Sequence, residues 1–333
     1  MRRLLSFACV GLLALGAVDV LGATSSAASD AGGSSPQAVA LVEAMRAAPR
    51  TLRFSGVVQV MWLDQGKRKN LTVDVTGDLG MIEVQSGQSQ VFDRGVQTYF
   101  KNRLGWSSAL VEPDLGKVPA PDHHWKLSVH PGPPIAGRPT HVVEATRASG
   151  EVAQRLFVDD ATSLLMRRQV LDSHGRVERS LQFQLLDLVP VNLHAPGGVS
   201  ARDAEPLKEV PSGYEAPRQS SGYELVTRSH HPNGVELLYS DGLFSVSVLE
   251  QRGQLDWDSL PAGGVAASVN GSDARRFSTA SADVLVWQRE GIVYTAVSDA
   301  PSDAVHALLD SLNPGRSTME RVADYVLGPF GWS

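Results

Sequence analysis

The feature of this sequence that most restricts its fold is a period-two alternation of apolar and polar residues, repeated in short runs along most of the chain. Leu52, Phe54, Val58, Val60 and Trp62 share one face of an extended segment, and Leu71, Val73 and Val75 alternate with Thr72, Asp74 and Thr76. Successive side chains of a strand point to opposite faces, so this rhythm describes strands with one face on a core and the other in water. Further runs fall at 81–85, 89–93, 96–101, 125–130, 140–146, 152–158, 164–171 and 177–187. Hairpin signals separate them: Asp93-Arg94-Gly95, Asn102 to Gly105, Ala148-Ser149-Gly150 and Ser173-His174-Gly175. A second group of strands is expected at 222–229, 234–240, 243–250, 274–280, 283–289 and 291–298. The period changes to that of a helix in three places. Pro36 to Ala48 places Ala38, Leu41, Val42 and Met45 on one face, with Pro49 expected to end it. Ser302 to Leu312 is stopped by Asn313-Pro314-Gly315, and Ser317 to Leu327 repeats the pattern.

With 333 residues and 42% hydrophobic content the chain can build two cored domains. Residues 1–28 read as a signal peptide. Arg2 and Arg3 precede the apolar stretch Leu4 to Leu21, and Ser25-Ser26-Ala27 and Ser26-Ala27-Ala28 offer small-x-small cleavage sites. Asp19 would be costly inside a bilayer, which favours cleavage over a retained anchor. Residues 29–35 form a flexible leader, 36–189 the large β domain and 222–333 a smaller one. Between them, 190–221 is crowded with Pro190, Pro196, Pro206, Pro211 and Pro217 and reads as a linker. The expected location is periplasmic or otherwise extracytoplasmic. Pro113 to Pro121 and Pro131 to Pro134 are expected as loops, either rims of a groove or ordinary connections.

Chemistry-bearing patterns are scarce. No nucleophile elbow, metalloprotease helix, phosphate loop or dinucleotide fingerprint occurs, so no catalytic residue is named. The one cysteine, Cys9, lies in the signal peptide, leaving no disulfide or thiolate site after cleavage. His123-His124 and His230-His231 are adjacent pairs whose side chains diverge on an extended segment, so no metal and no cofactor is expected. Asp159-Asp160 is explained by turn capping. A formal net charge of −6, one unit more negative without the signal peptide, argues against nucleic acid. What remains is aromatic: Trp62, Phe92, Tyr99, Phe100, Trp106 and Trp125 fall in the first β region, as core or as the lining of an apolar cavity.

Three stretches resemble the RseB/MucB regulators of anti-sigma factors. The first is Leu238-Tyr239-Ser240-Asp241-Gly242-Leu243-Phe244 followed by the strand Ser245 to Val248. The second is Ala136-Gly137-Arg138 before Thr140 to Ala145. The third runs from Arg155 to Phe183 and includes Asp159 and Thr162-Ser163-Leu164-Leu165, with Ser163 where the family usually has glycine. The resemblance implies an α+β fold, mainly antiparallel β: an open half-barrel like the lipoprotein carriers LolA and LolB, plus a smaller C-terminal α+β domain. It implies a partner, the extracytoplasmic domain of an anti-sigma factor, and a lipid or lipopolysaccharide-like ligand in an apolar groove. Trp62, Phe92, Phe100, Trp106 and Trp125 are the candidate groove residues, and Ser240, Asp241, Gly242 and Leu243 the candidate partner-binding loop. The alternatives are a lipid or lipoprotein carrier using the same groove, and an envelope hydrolase with a site assembled from distant residues. The sequence leaves the oligomeric state open.

Overall fold

The structure is a computed structural model. It describes residues 33–87, 118–193, 214, 221–230 and 234–310, together with the backbone of 89–93, 97–102, 105–110, 219–220, 231 and 311–312. The expected signal peptide and the helix at 317–327 lie outside the described residues. Among those residues no helix is long and apolar enough to cross a membrane.

Helix α1 spans Pro36–Thr51. The Ser35 side chain accepts from the Ala38 N–H, Pro36 needs no donor of its own at the first turn, and Ala38, Val42 and Met45 form the buried face. Pro49 does not end it. The proline sits in the last turn, its carbonyl accepts from the Gly80 N–H at 2.9 Å, and the helix runs on to Thr51. A tertiary bond to the neighbouring hairpin therefore sets this terminus.

The first sheet contains β1 (Arg53–Asp64), β2 (Lys67–Asp78), β3 (Met81–Ser86), β4 (Ser89–Asp93), β5 (Gln97–Asn102), β6 (Gly105–Leu110), β7 (Lys126–Ile135), β8 (Arg138–Thr146), β9 (Val152–Asp159), β10 (Leu165–Leu171) and β11 (Val177–Asp187). Its order is β6-β5-β4-β3-β2-β1-β11-β10-β9-β8-β7, antiparallel throughout and open at both edges. Two meanders are joined where the first strand pairs with the last, Val58 opposite Phe183 and Val60 opposite Leu181. Phe54, Val58, Val60, Val73, Val75, Leu181 and Phe183 make one core here. A Cβ on Gly77 would lie 2.2 Å from the Phe54 ring, so only glycine lets that ring lie against the opposing strand.

Pro131 to Pro134 is part of strand β7, not a loop. β7 is an edge strand, where a missing N–H breaks no ladder, and a bulge between Gly132 and Ile135 takes up the crowding. The hairpin partner of β5, β6, was not among the expected runs.

The second sheet contains β12 (Gln219–Ser220), β13 (Tyr223–His231), β14 (Gly234–Ser240), β15 (Ser245–Arg252), β16 (Val265–Val269), β17 (Ser272–Ser278), β18 (Asp283–Arg289) and β19 (Ile292–Ser298). Its order is β12-β13-β14-β15-β19-β18-β17-β16. The short β16, with only modest alternation, was also missed. Helix α2 (Ser302–Leu312) buries Val305, Leu308 and Leu309. Trp287 and Tyr294 are paired across β18 and β19, with their rings stacked at 4.9 Å. The antiparallel, open, mainly β architecture is as expected.

A single apolar core runs from α1 and the first sheet into the second. Ala38, Val42, Met45, Trp125, Leu127 and Val143 belong to the same buried cluster as Leu243, Phe244, Val246 and Leu308.

Candidate functional site at the junction of the two sheets

The five candidate groove residues do not share a face. No bulge interrupts the pairing from β1 to β6, so cross-strand partners lie on one side of the sheet. Trp62 falls with Val60, Val58, Val73, Val75 and Val84, and Phe100, opposite Val91, continues that row. Phe92 is opposite Tyr99 and Trp106 opposite Lys101, both on the other face. Trp125 is elsewhere. It is 9% exposed and packs edge-on against Phe244 of the second module at 5.5 Å. An aromatic count along the chain cannot see this split, because a shift of one residue reverses the face.

The candidate partner-binding loop is turned inward. Ser240, Asp241 and Leu243 are all buried. Asp241 Oδ1 accepts from the N–H of Leu243 at 2.9 Å and of Phe244 at 2.7 Å, and Ser240 Oγ accepts from the Gly242 N–H at 3.1 Å and donates to the Phe244 carbonyl at 2.9 Å. These bonds close a tight turn between β14 and β15. Gly242 has φ +91°, and a Cβ there would come within 2.6 Å of the Pro119 carbonyl oxygen. Its own carbonyl accepts from the Arg46 guanidinium of α1. The segment most like the RseB/MucB regulators is thus the piece of the second module pressed into the first.

Around it lies a polar seam. Three buried arginines of the first module reach acceptors of the second. Arg46 takes the Gly242 carbonyl. Arg168 of β10, 2% exposed, pairs with Asp299 at 2.8 Å and lies 5.4 Å from the Phe244 ring centre. Arg179 of β11 pairs with Asp283 at 3.3 Å and donates to the Asp299 carbonyl at 3.4 Å. Glu178 accepts from the backbone N–H and hydroxyl of Ser302 at 3.3 and 3.1 Å, so a first-module carboxylate caps the start of α2. Arg46, Arg168, Arg179, Glu178, Asp283 and Asp299 were not singled out from sequence. A signal existed: Arg168 and Arg179 are in phase with the apolar positions of their own strands, Met166 and Val170, and Leu181 and Phe183.

The electrostatics follow from burial. Burial pushes the Asp241 carboxyl up to about 6, against the N–H bonds from Phe244 and Leu243 and the Trp125 indole, while Asp299 adds to the rise. Burial lowers Arg46, opposed by Glu43 and Asp241. The Tyr223 hydroxyl, buried and beside Asp241 and Asp299, is raised well above its ordinary value.

The other two stretches of resemblance meet away from the seam. Arg138 grips Asp159 with two bonds of 2.8 Å, and Asp159 also accepts from the Thr162 N–H at 2.9 Å and hydroxyl at 2.6 Å. This is the capped turn expected for Asp159-Asp160. Ser163 follows at φ +59°, the conformation that glycine adopts without cost. Among the described residues no cluster of His, Cys, Asp and Glu could hold a metal ion.

No protein-family model and no curated protein matches this sequence. Solved structures do match its fold. The crystal structure of MucB in complex with MucA(peri) and that of the Pseudomonas aeruginosa MucA/MucB complex each align at TM-score 0.50 and 16% identity, covering 82% of this chain and 97% of MucB. The crystal structure of MucB alone aligns at TM-score 0.52 and 16% identity, covering 83% of this chain and 97% of MucB. Shared over nearly the whole of MucB, this chain's architecture is the MucB fold.

Proposed function

We propose that this chain is an exported regulatory binding protein that engages the extracytoplasmic domain of an anti-sigma factor. The reading rests on one observation: the likeness to MucB, which has been solved bound to MucA(peri), extends over 97% of MucB and so includes the second module. A carrier needs only the first sheet. Here α1 and the first sheet share one core with the second sheet, and three buried arginines fix their relative placement. Two modules held in register offer a composite surface for a protein partner.

An apolar envelope ligand would act through the first sheet, where Trp62 shares the face of Val58, Val60, Val73 and Val75. Such a ligand changes partner affinity only if it prefers one arrangement of the modules, and a preference of about 1–3 kcal/mol corresponds to roughly 5- to 150-fold. The direct test is calorimetry of the folded full chain against the extracytoplasmic domain of an anti-sigma factor from the same organism. Saturable binding is expected. A folded chain that fails to bind sinks the reading.

A further inference from the structure

We propose that the junction between the two sheets is a proton-sensitive clasp, with Asp241 as its proton-binding group, and that mild acid tightens the two modules against each other.

The geometry singles out Asp241. Five other buried aspartates each have an arginine: Asp78 with Arg53 at 2.8 Å, Asp159 with Arg138 at 2.8 Å, Asp172 with Arg176 at 2.7 Å, Asp283 with Arg179 at 3.3 Å and Asp299 with Arg168 at 2.8 Å. Asp241, 3% exposed, forms no ion pair among the described residues, and its Oδ1 is held by two backbone N–H groups of its own turn. The cation of α1, Arg46, is committed to the Gly242 carbonyl. A buried carboxylate with no cation bonded to it is costly, and taking up a proton relieves that cost.

Every element around Asp241 contributes a group. From α1 comes Arg46, with Glu43 behind it. From the segment before β7 comes the Trp125 indole N–H, with His124 further out, 3.5 Å from Glu224. From β13 comes the Tyr223 hydroxyl, itself influenced by Arg147. From the end of β19 comes Asp299, neutralised by Arg168. The Tyr223 hydroxyl and the Trp125 indole N–H are buried beside the carboxyl with no hydrogen-bond partner of their own, so both are free to serve it in either protonation state. Because the first module supplies Arg46 and Trp125, and the second supplies Asp241, Tyr223 and Asp299, this environment exists only while the modules are together.

The sign follows from linkage. In the packed state the carboxyl titrates at about 6, against an ordinary value of 3.8 when the junction is open or unfolded. The packed state therefore binds the proton more tightly, and its advantage grows as pH falls from above 6 toward 3.8. Between about pH 7 and pH 5 the packed-to-open ratio should rise about tenfold.

The test is urea unfolding of the full chain from pH 7.5 to pH 5, for wild type and Asp241→Asn. Asparagine keeps the acceptor oxygen for Leu243 and Phe244 and cannot titrate. The ratio of wild-type to variant unfolding constants is expected to fall about tenfold from pH 7 to pH 5. Every other ionisable group is common to both proteins and cancels in the ratio. A ratio independent of pH overturns the proposal. Exchange protection of the Trp125 indole N–H and the Leu243 amide, one from each module, should rise by the same factor after correction for intrinsic rates, and no rise also overturns it. If Asp241→Asn fails to fold, carbon NMR of labelled aspartate carboxyls in wild type decides. One carboxyl with a midpoint near 6 supports the clasp, and all midpoints below 5 refute it.

Discussion

Arg168 offers the sharpest test of how the two modules are joined. It lies almost wholly out of solvent, and its guanidinium meets Asp299 Oδ2 at 2.8 Å across the seam. With the Gln154 amide oriented toward it, that oxygen accepts from Nη2 at 2.8 Å and Nε at 2.6 Å. Asp299 Oδ1 is taken by the Ser245 N–H at 2.8 Å. Arg168→Met keeps most of the side-chain volume and removes the charge. The replacement strands Asp299 in a site 5% exposed, and leaving one partner of a buried pair uncompensated costs about 3–5 kcal/mol. For a urea dependence of about 2–3 kcal/mol per molar, the midpoint should fall by about 1–2 M. Asp299→Asn keeps the bond from Ser245 and removes the opposing charge. The double variant should therefore lose less than the two single losses together, by about 1–3 kcal/mol. Because the modules share one core, each protein should show a single transition. A loss under about 1 kcal/mol for Arg168→Met, or strictly additive losses in the double variant, would show that the pair does not couple the modules.

Three further outcomes follow from particular positions. Gly242→Ala forces a side chain toward the Pro119 carbonyl at a positive φ, and should destabilise the fold by about 2–4 kcal/mol, read by denaturant unfolding. Ser163→Gly removes a left-handed non-glycine residue whose turn is already fixed by Asp159, and should raise stability by up to about 1 kcal/mol despite the added freedom of the unfolded chain; a loss would refute the strain. At Asp159 burial raises the carboxyl, but the bonds from Arg138 and Thr162 outweigh it and hold the group below its ordinary 3.8. A depressed carboxyl stabilises above the unfolded value and loses that contribution as pH falls through the folded one. Asp159→Asn should therefore weaken the protein at neutral pH and flatten its acid unfolding below about pH 4, measured by circular dichroism.

Much of the architecture was legible from the chain alone. Alternation at Phe54, Val58, Val60 and Trp62, and at Leu71, Val73 and Val75, carries its own structural meaning, because a pleated strand has no other way to sort side chains between a core and water. The capped turn at Asp159 to Ser163 and the helix Pro36 onward were equally local, since Ser35 and Asp159 act within a few residues of themselves. The end of that helix was not, because Gly80, far along the chain, holds it past Pro49. Nor was the strand through Pro131 to Pro134, since whether proline is tolerated depends on which strand becomes an edge.

The tertiary structure alone decided the site. Asp241-Gly242 announces a turn in any context, but only the packing of two sheets buries that turn against Pro119, Trp125 and Arg46. Arg168 and Arg179 interrupt apolar rows without explanation until Asp299 and Asp283 arrive from more than a hundred residues away. Local sequence determines which side chains turn toward a core. The sign and spacing of buried charge are properties of what is brought opposite, and that is set by the fold.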